Sequence, residues 1–94
     1  MRLSSKEIET IKQIIDDIFT DAKVYLFGSR LDMDKKGGDI DLYVDAKDKE
    51  SLLEKKIKAV SKLERLLQKP VDLVVSRDKK RDFEQEILKK CELL

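Results

Sequence analysis

The chain contains no histidine and no tryptophan, one cysteine and one proline. Without histidine, imidazole acid–base catalysis, serine–histidine triads and His-ligated zinc are all excluded. Cys91 stands alone, so there is no internal disulfide, which fits a reducing compartment. No apolar run approaches the ~20 residues that a transmembrane helix needs. The first residues, Met1-Arg2-Leu3-Ser4-Ser5-Lys6-Glu7, lack the apolar stretch of a signal peptide. The expected location is therefore the cytoplasm, with no membrane partner. Net charge is also nearly missing: 21 basic residues against 20 acidic ones leave +1. That balance gives no global attraction to nucleic acid, and two tyrosines and three phenylalanines offer few bases a stacking surface, so a nucleic-acid-binding module is disfavoured.

What remains is a highly charged chain with enough apolar residues for one modest core. Its 94 residues are expected to form a single domain over 1–94. Any chemistry must come from carboxylates, hydroxyls, lysines, arginines and a metal.

Hydrophobic spacing divides the chain into segments. Ser4 and Glu7 form a capping-box pattern ahead of Ile8, Ile11, Ile14, Ile15, Ile18 and Phe19, which predicts a helix over 5–19. Residues 23–27 read as a strand, broken by Gly28-Ser29. Arg30 to Asp34 predicts one short helical turn, followed by a loop at Lys35-Lys36-Gly37-Gly38. Ile40, Leu42 and Val44 alternate with Asp39, Asp41, Tyr43 and Asp45 in a second strand, 39–45. Asp48 is placed to cap a long amphipathic helix over 49–68. Pro70 precedes a third strand over 71–75. Phe83, Ile87, Leu88 and Cys91 stripe a final helix over 79–91, with Cys91 expected in the core; the Leu93-Leu94 tail is not assigned. The fold class is thus mixed α/β, in the order α-β-α-β-α-β-α around a three-stranded mixed sheet. A right-handed crossover makes the second and third strands parallel, and the short connection makes the first and second antiparallel.

That topology gathers chemistry at one end of the sheet. The end of the first strand, carrying Gly28-Ser29, falls beside the start of the second, carrying Asp39 and Asp41. The start of the third strand, with Asp72, falls beside the same two aspartates. Asp39 and Asp41 are two apart and face one side. Clustered carboxylates repel unless a cation neutralises them. Hard divalent ions prefer such ligands, and two ions are commonly held this way for polymerase-type phosphoryl transfer. Gly28 lets a phosphate approach the backbone closely, Ser29 opens a short helix whose N–H groups favour an anion, and Arg30 can reach a phosphate oxygen.

Gly28-Ser29-Arg30, a nine-residue spacer, Asp39-Ile40-Asp41-Leu42 and Val71-Asp72-Leu73-Val74 together resemble the DNA polymerase β nucleotidyltransferase superfamily. More narrowly, with Lys36-Gly37-Gly38 ahead of Asp39, they resemble its minimal nucleotidyltransferases, the MNT proteins. The resemblance covers nearly the whole chain. It implies the polymerase β-like fold and a Mg2+-dependent transfer of a nucleoside monophosphate, AMP from ATP, to an acceptor hydroxyl. It implies that Asp39, Asp41 and Asp72 are the catalytic, metal-binding carboxylates for two Mg2+ ions, and that Gly28 and Ser29 bind the triphosphate, with Arg30 the further candidate that its chemistry suggests. It also implies a small helical partner of the HEPN or substrate-binding type, with the chain acting as an antitoxin that modifies a tyrosine of a HEPN toxin. The alternative is a non-catalytic antitoxin that neutralises a helical partner by covering it. Two departures stand out: the spacer after Ser29 is nine residues where about ten is common, and Gly38 stands where many relatives have serine. Neither removes a ligand. Outside the motif, Lys35 and Lys36 read as solubilising loop residues. Tyr43, on the acidic face, reads as packed or exposed rather than stacked on a base.

Overall fold

In the computed structural model, which describes residues 3–28 and 39–94, three helices flank one four-stranded sheet. The elements are α1 (Ser5–Ile18), β1 (Ala22–Phe27), β2 (Ile40–Ala46), α2 (Leu52–Leu67), β3 (Val71–Val75), α3 (Asp82–Lys89) and β4 (Glu92–Leu93). The sheet order is β3-β2-β1-β4. β1 runs antiparallel to β2, and β3 runs parallel to β2, as the connection lengths require. The mixed α/β class holds. The strand count does not, because β4 adds a fourth strand beside β1, pairing Leu93 with Tyr25 and Glu92 with Leu26. Two residues are too few to alternate, so no sequence pattern marks β4, and only the tertiary contact with β1 makes it a strand. The Arg30–Asp34 helical turn and the Lys35–Gly38 loop lie outside the described residues.

The capping box forms as read. The Ser4 hydroxyl accepts the Glu7 N–H at 3.1 Å, and the Glu7 carboxylate accepts the Ser4 N–H at 3.0 Å. The other oxygen of Glu7 holds the Lys69 ammonium at 2.9 Å, tying the start of α1 to the turn before β3. α2 begins later than expected. Asp48 accepts the Glu50 N–H at 2.9 Å, and that turn occupies the chain until Ser51, whose left-handed backbone (φ 55°) precedes the helix. α3 is likewise shorter at both ends than its apolar stripe suggested. Cys91 therefore lies past the helix and is half-buried rather than in the core.

One face of the sheet carries the core. Ile40, Leu42, Val44 and Ala46 from β2, with Val24, Leu26 and Leu73, pack against Ile11, Ile14 and Ile15 of α1 and Ala59 and Leu63 of α2. The opposite face is organised by a polar centre that the sequence reading missed. Glu84 occupies a position on α3 where a helical stripe would place an apolar residue, and it is buried. One of its oxygens accepts the Tyr43 hydroxyl at 2.7 Å and the Ser76 hydroxyl at 2.6 Å. The other accepts the N–H groups of Arg77 and Asp78, both at 3.0 Å. Tyr43 is consequently buried beneath α3, its ring 5.9 Å from that of Tyr25, its cross-strand partner. Phe83, placed in the helix stripe by spacing, faces outward instead.

Burial acts to raise the Glu84 carboxyl, but the Ser76 hydroxyl, the Asp78 N–H, the Tyr43 hydroxyl and the Arg77 N–H outweigh it and hold the group at about 2. An unfolded glutamate titrates near 4.3. The unfolded chain therefore takes up this proton first on acidification. The stabilisation from Glu84 is complete above about pH 4.5 and is lost as pH falls toward 2. Glu84→Gln sets an amide NH2 among four donors, so we expect a loss on the order of 3 kcal/mol at pH 7, read by urea denaturation. The gap between wild type and variant should close as the pH is lowered toward 2; a gap that stays constant with pH would contradict this assignment.

Candidate active site

β2 is the middle of three strands at the site, and its register places the acidic residues. Asp41 lies opposite Phe27 of β1 on one side and opposite Asp72 of β3 on the other. Register partners on neighbouring strands project to the same face. Asp41 and Asp72 thus stand side by side on the face away from the α1/α2 core, Asp41 half-buried and Asp72 exposed. The β2–β3 ladder starts with the Ile40 N–H donating to the Pro70 carbonyl at 2.9 Å. Asp39 immediately precedes that bond, is exposed, and belongs to the loop end rather than the strand.

Gly28 closes the other side. It follows β1 directly and takes φ +76°, a left-handed conformation that favours glycine. A Cβ built there would overlap Oδ2 of Asp41 and lie 3.0 Å from its Cγ. The expected Gly–Asp proximity is therefore a packing contact: the Asp41 carboxylate occupies the space that a side chain at position 28 would fill. Ser29 and Arg30, also expected here, lie outside the described residues. The structure brings together Gly28, Asp41 and Asp72, while Asp39 lies two residues before Asp41, just outside β2. Among the described residues no three carboxylates close into a metal cage.

The other aspartate of β2's outer face, Asp45, lies toward the end of the strand. Asp45 is paired with Lys79 at 2.6 Å and with Lys49 at 3.5 Å. Its charge is answered by cations of the chain itself. No described cation pairs with Asp72. Two in-register carboxylates, with the glycine Cα against one of them, form an all-oxygen donor set of the kind that suits a hard divalent ion. The electrostatic cost of placing them together is what such an ion offsets.

Residues 9–94 match the family model described as polymerase beta, nucleotidyltransferase. Among curated proteins none matches the chain. Solved structures do. A tri-AMPylated Shewanella oneidensis HEPN toxin in complex with MNT antitoxin is similar with a TM-score of 0.76 and 24% identity, over 97% of this chain and 71% of that one. A toxin–antitoxin structure with AMP-PNP has a TM-score of 0.74 and 24% identity, over 97% and 72%. A MntA–HpeT mutant with two aspartates changed to glutamate has a TM-score of 0.75 and 25% identity, over 93% and 70%.

The packing of Gly28 against Asp41 can be measured without any activity. Gly28→Ala should cost about 1–3 kcal/mol in urea denaturation, from the left-handed backbone and the overlap with the carboxylate. In the Gly28→Ala/Asp41→Ala double variant the steric part should be relieved, so the two losses should add to more than the double variant shows. Strictly additive losses would mean that the two residues do not touch.

Proposed function

Because the chain belongs to the polymerase beta nucleotidyltransferase family and is a nucleotidyltransferase, we propose that it moves AMP from ATP onto a hydroxyl of a helical HEPN-type partner protein. The observation that carries this reading is the register that sets Asp41 beside Asp72, with Gly28 against Asp41. The similar toxin–antitoxin structures, one of them holding an AMPylated HEPN toxin, support the choice of nucleotide and partner.

In this reading Asp41 and Asp72, with Asp39 from the loop end, hold Mg2+. The metal, when bound, supplies positive charge for the triphosphate and for the acceptor oxygen. The chain's own contribution is placement. β2 fixes Asp41 from both sides through its ladders, so its carboxylate has a defined position before any ligand arrives. Ser29 and Arg30, the next residues in sequence after Gly28, would supply donors to the triphosphate. Among the described residues Asp72 lies on an edge strand, so in this reading an acceptor hydroxyl reaches it from that edge. The reaction is then an in-line displacement at the α-phosphorus. The acceptor oxygen gives up its proton to water, the new phosphodiester bond forms as the bond from the α-phosphorus to the α–β bridging oxygen breaks, and pyrophosphate leaves.

Two experiments test this reading. The first needs no turnover: Mg2+ with a non-hydrolysable ATP analogue should raise the Tm of the wild type and not that of Asp41→Asn or Asp72→Asn. Equal shifts in all three would place the metal elsewhere. The second follows labelled ATP into the partner protein. Either substitution should reduce the rate by about a thousandfold or more, roughly 4 kcal/mol of transition-state stabilisation. Undiminished labelling by both variants would rule these carboxylates out.

A further inference from the structure

Along the outer edge of β3 runs a cleft of about 380 Å3 with Asp72 in its lining. Its walls come from opposite faces of the sheet, Leu53 and Lys56 from α2 and Arg81 and Phe83 from the start of α3, and Arg77 lies beyond the far end of β3. Only five large apolar side chains in the described chain are strongly exposed, and two of them flank this cleft: Leu53 at 60% and Phe83 at 56%. A third, Ile57 at 62%, continues the patch one turn along α2. Apolar side chains concentrated beside a reactive group mark a docking surface better than scattered ones do.

The charges select the partner. Three cations line the cleft, Lys56, Arg77 and Arg81, against Asp72 and Glu84. Glu84 is buried and already accepts four hydrogen bonds from the chain itself. Arg81 pairs with Glu84 at 3.8 Å, whereas among the described residues Lys56 and Arg77 form no ion pair. The cleft is therefore apolar at its walls and cationic along its length, with the one exposed carboxylate at the reactive end. From Asp72 to Arg77 is five residues, about 15 Å of extended chain.

We infer that this edge cleft is where the protein carrying the acceptor hydroxyl docks, and that the docking segment bears apolar side chains flanked by acidic ones. The inference rests on the nucleotidyl-transfer reading only for the direction of approach to Asp72; the docking surface itself follows from exposure and charge. Apolar side chains seat between Leu53 and Phe83, and carboxylates meet Lys56, Arg77 and Arg81. The hydroxyl residue then lies beside Asp72. Charge complementarity of this kind sets specificity and encounter rate more than total affinity.

The test uses the full chain and two fluorescein-labelled twelve-residue peptides, each with a central tyrosine and two leucines, one flanked by glutamates and the other by lysines. Fluorescence anisotropy at low salt should show the glutamate peptide binding about tenfold more tightly. Lys56→Glu/Arg77→Glu should reverse that preference, and Leu53→Asp should weaken both peptides. Binding of Mg2+ and the ATP analogue, followed separately by Tm, should be unchanged in all these variants. Equal binding of the two peptides, no binding up to millimolar concentration, or a preference that survives charge reversal would overturn the inference. So would tighter binding of a labelled single-stranded RNA that the charge reversal abolishes. Loss of nucleotide binding in the wild type, with the peptide preference intact, would instead count against the transfer reading alone.

Discussion

Two carboxylates held next to each other by strand register are the constraint on which this molecule turns. The parallel ladder between β2 and β3 pairs Asp41 with Asp72, and neither can move away without breaking backbone bonds. The same ladder buries Ile40, Leu42 and Leu73 on the other face. A slip of one residue would turn those side chains to solvent and the aspartates into the core, so the register is fixed by burial. The hydrophobic effect thereby holds in place an arrangement that electrostatics alone would disperse. In the proposed reading this gives the carboxylates a set position before a cation arrives.

The outer face of the sheet handles its acids in two ways. Glu84 is fully enclosed and receives four donors, so its charge is spent on holding α3 and the 76–78 turn against the sheet. Asp45 is matched by lysines. Toward the start of β3, no described cation pairs with Asp72. The contrast with Asp45 lies within one surface and between side chains of the same chemistry. The Glu84 hydrogen bonds also explain why α3 packs where it does: Glu84 and Tyr43 pull its first turn over the middle of the sheet.

Much of this was legible in the chain. The alternation from Ile40 to Asp45 gave both the strand and its two faces, and the connection lengths gave the parallel and antiparallel pairings. With these, Gly28, Asp41 and Asp72 had to meet. The capping box at Ser4 and Glu7 was equally direct, because the local chemistry is complete within four residues. What escaped depends on contacts between distant segments. Glu84 reads as one more solvated helix charge until Tyr43 and Ser76 are brought to it, 41 and 8 residues away. Phe83 fits a helical stripe, yet the adjacent Glu84 takes the inward position because four donors outweigh one aromatic ring. β4 has no pattern to find. The amphipathic pattern of α2 marks the helix but not which of its apolar residues reach the core: Ala59 and Leu63 face inward while Leu53 and Ile57 face out beside the cleft.

The proposed docking cleft and the carboxylate pair share one edge of the sheet: Asp72 belongs both to the pair and to the lining of the cleft. The most direct test is a crystal of the chain grown with Mn2+ and a non-hydrolysable ATP analogue, with the ion located by its anomalous scattering. The account predicts a cation bonded to carboxylate oxygens of both Asp41 and Asp72, at about 2.1 Å, with the triphosphate at the turn that begins at Gly28. An ion bound to neither aspartate, with the triphosphate on another surface, would contradict it.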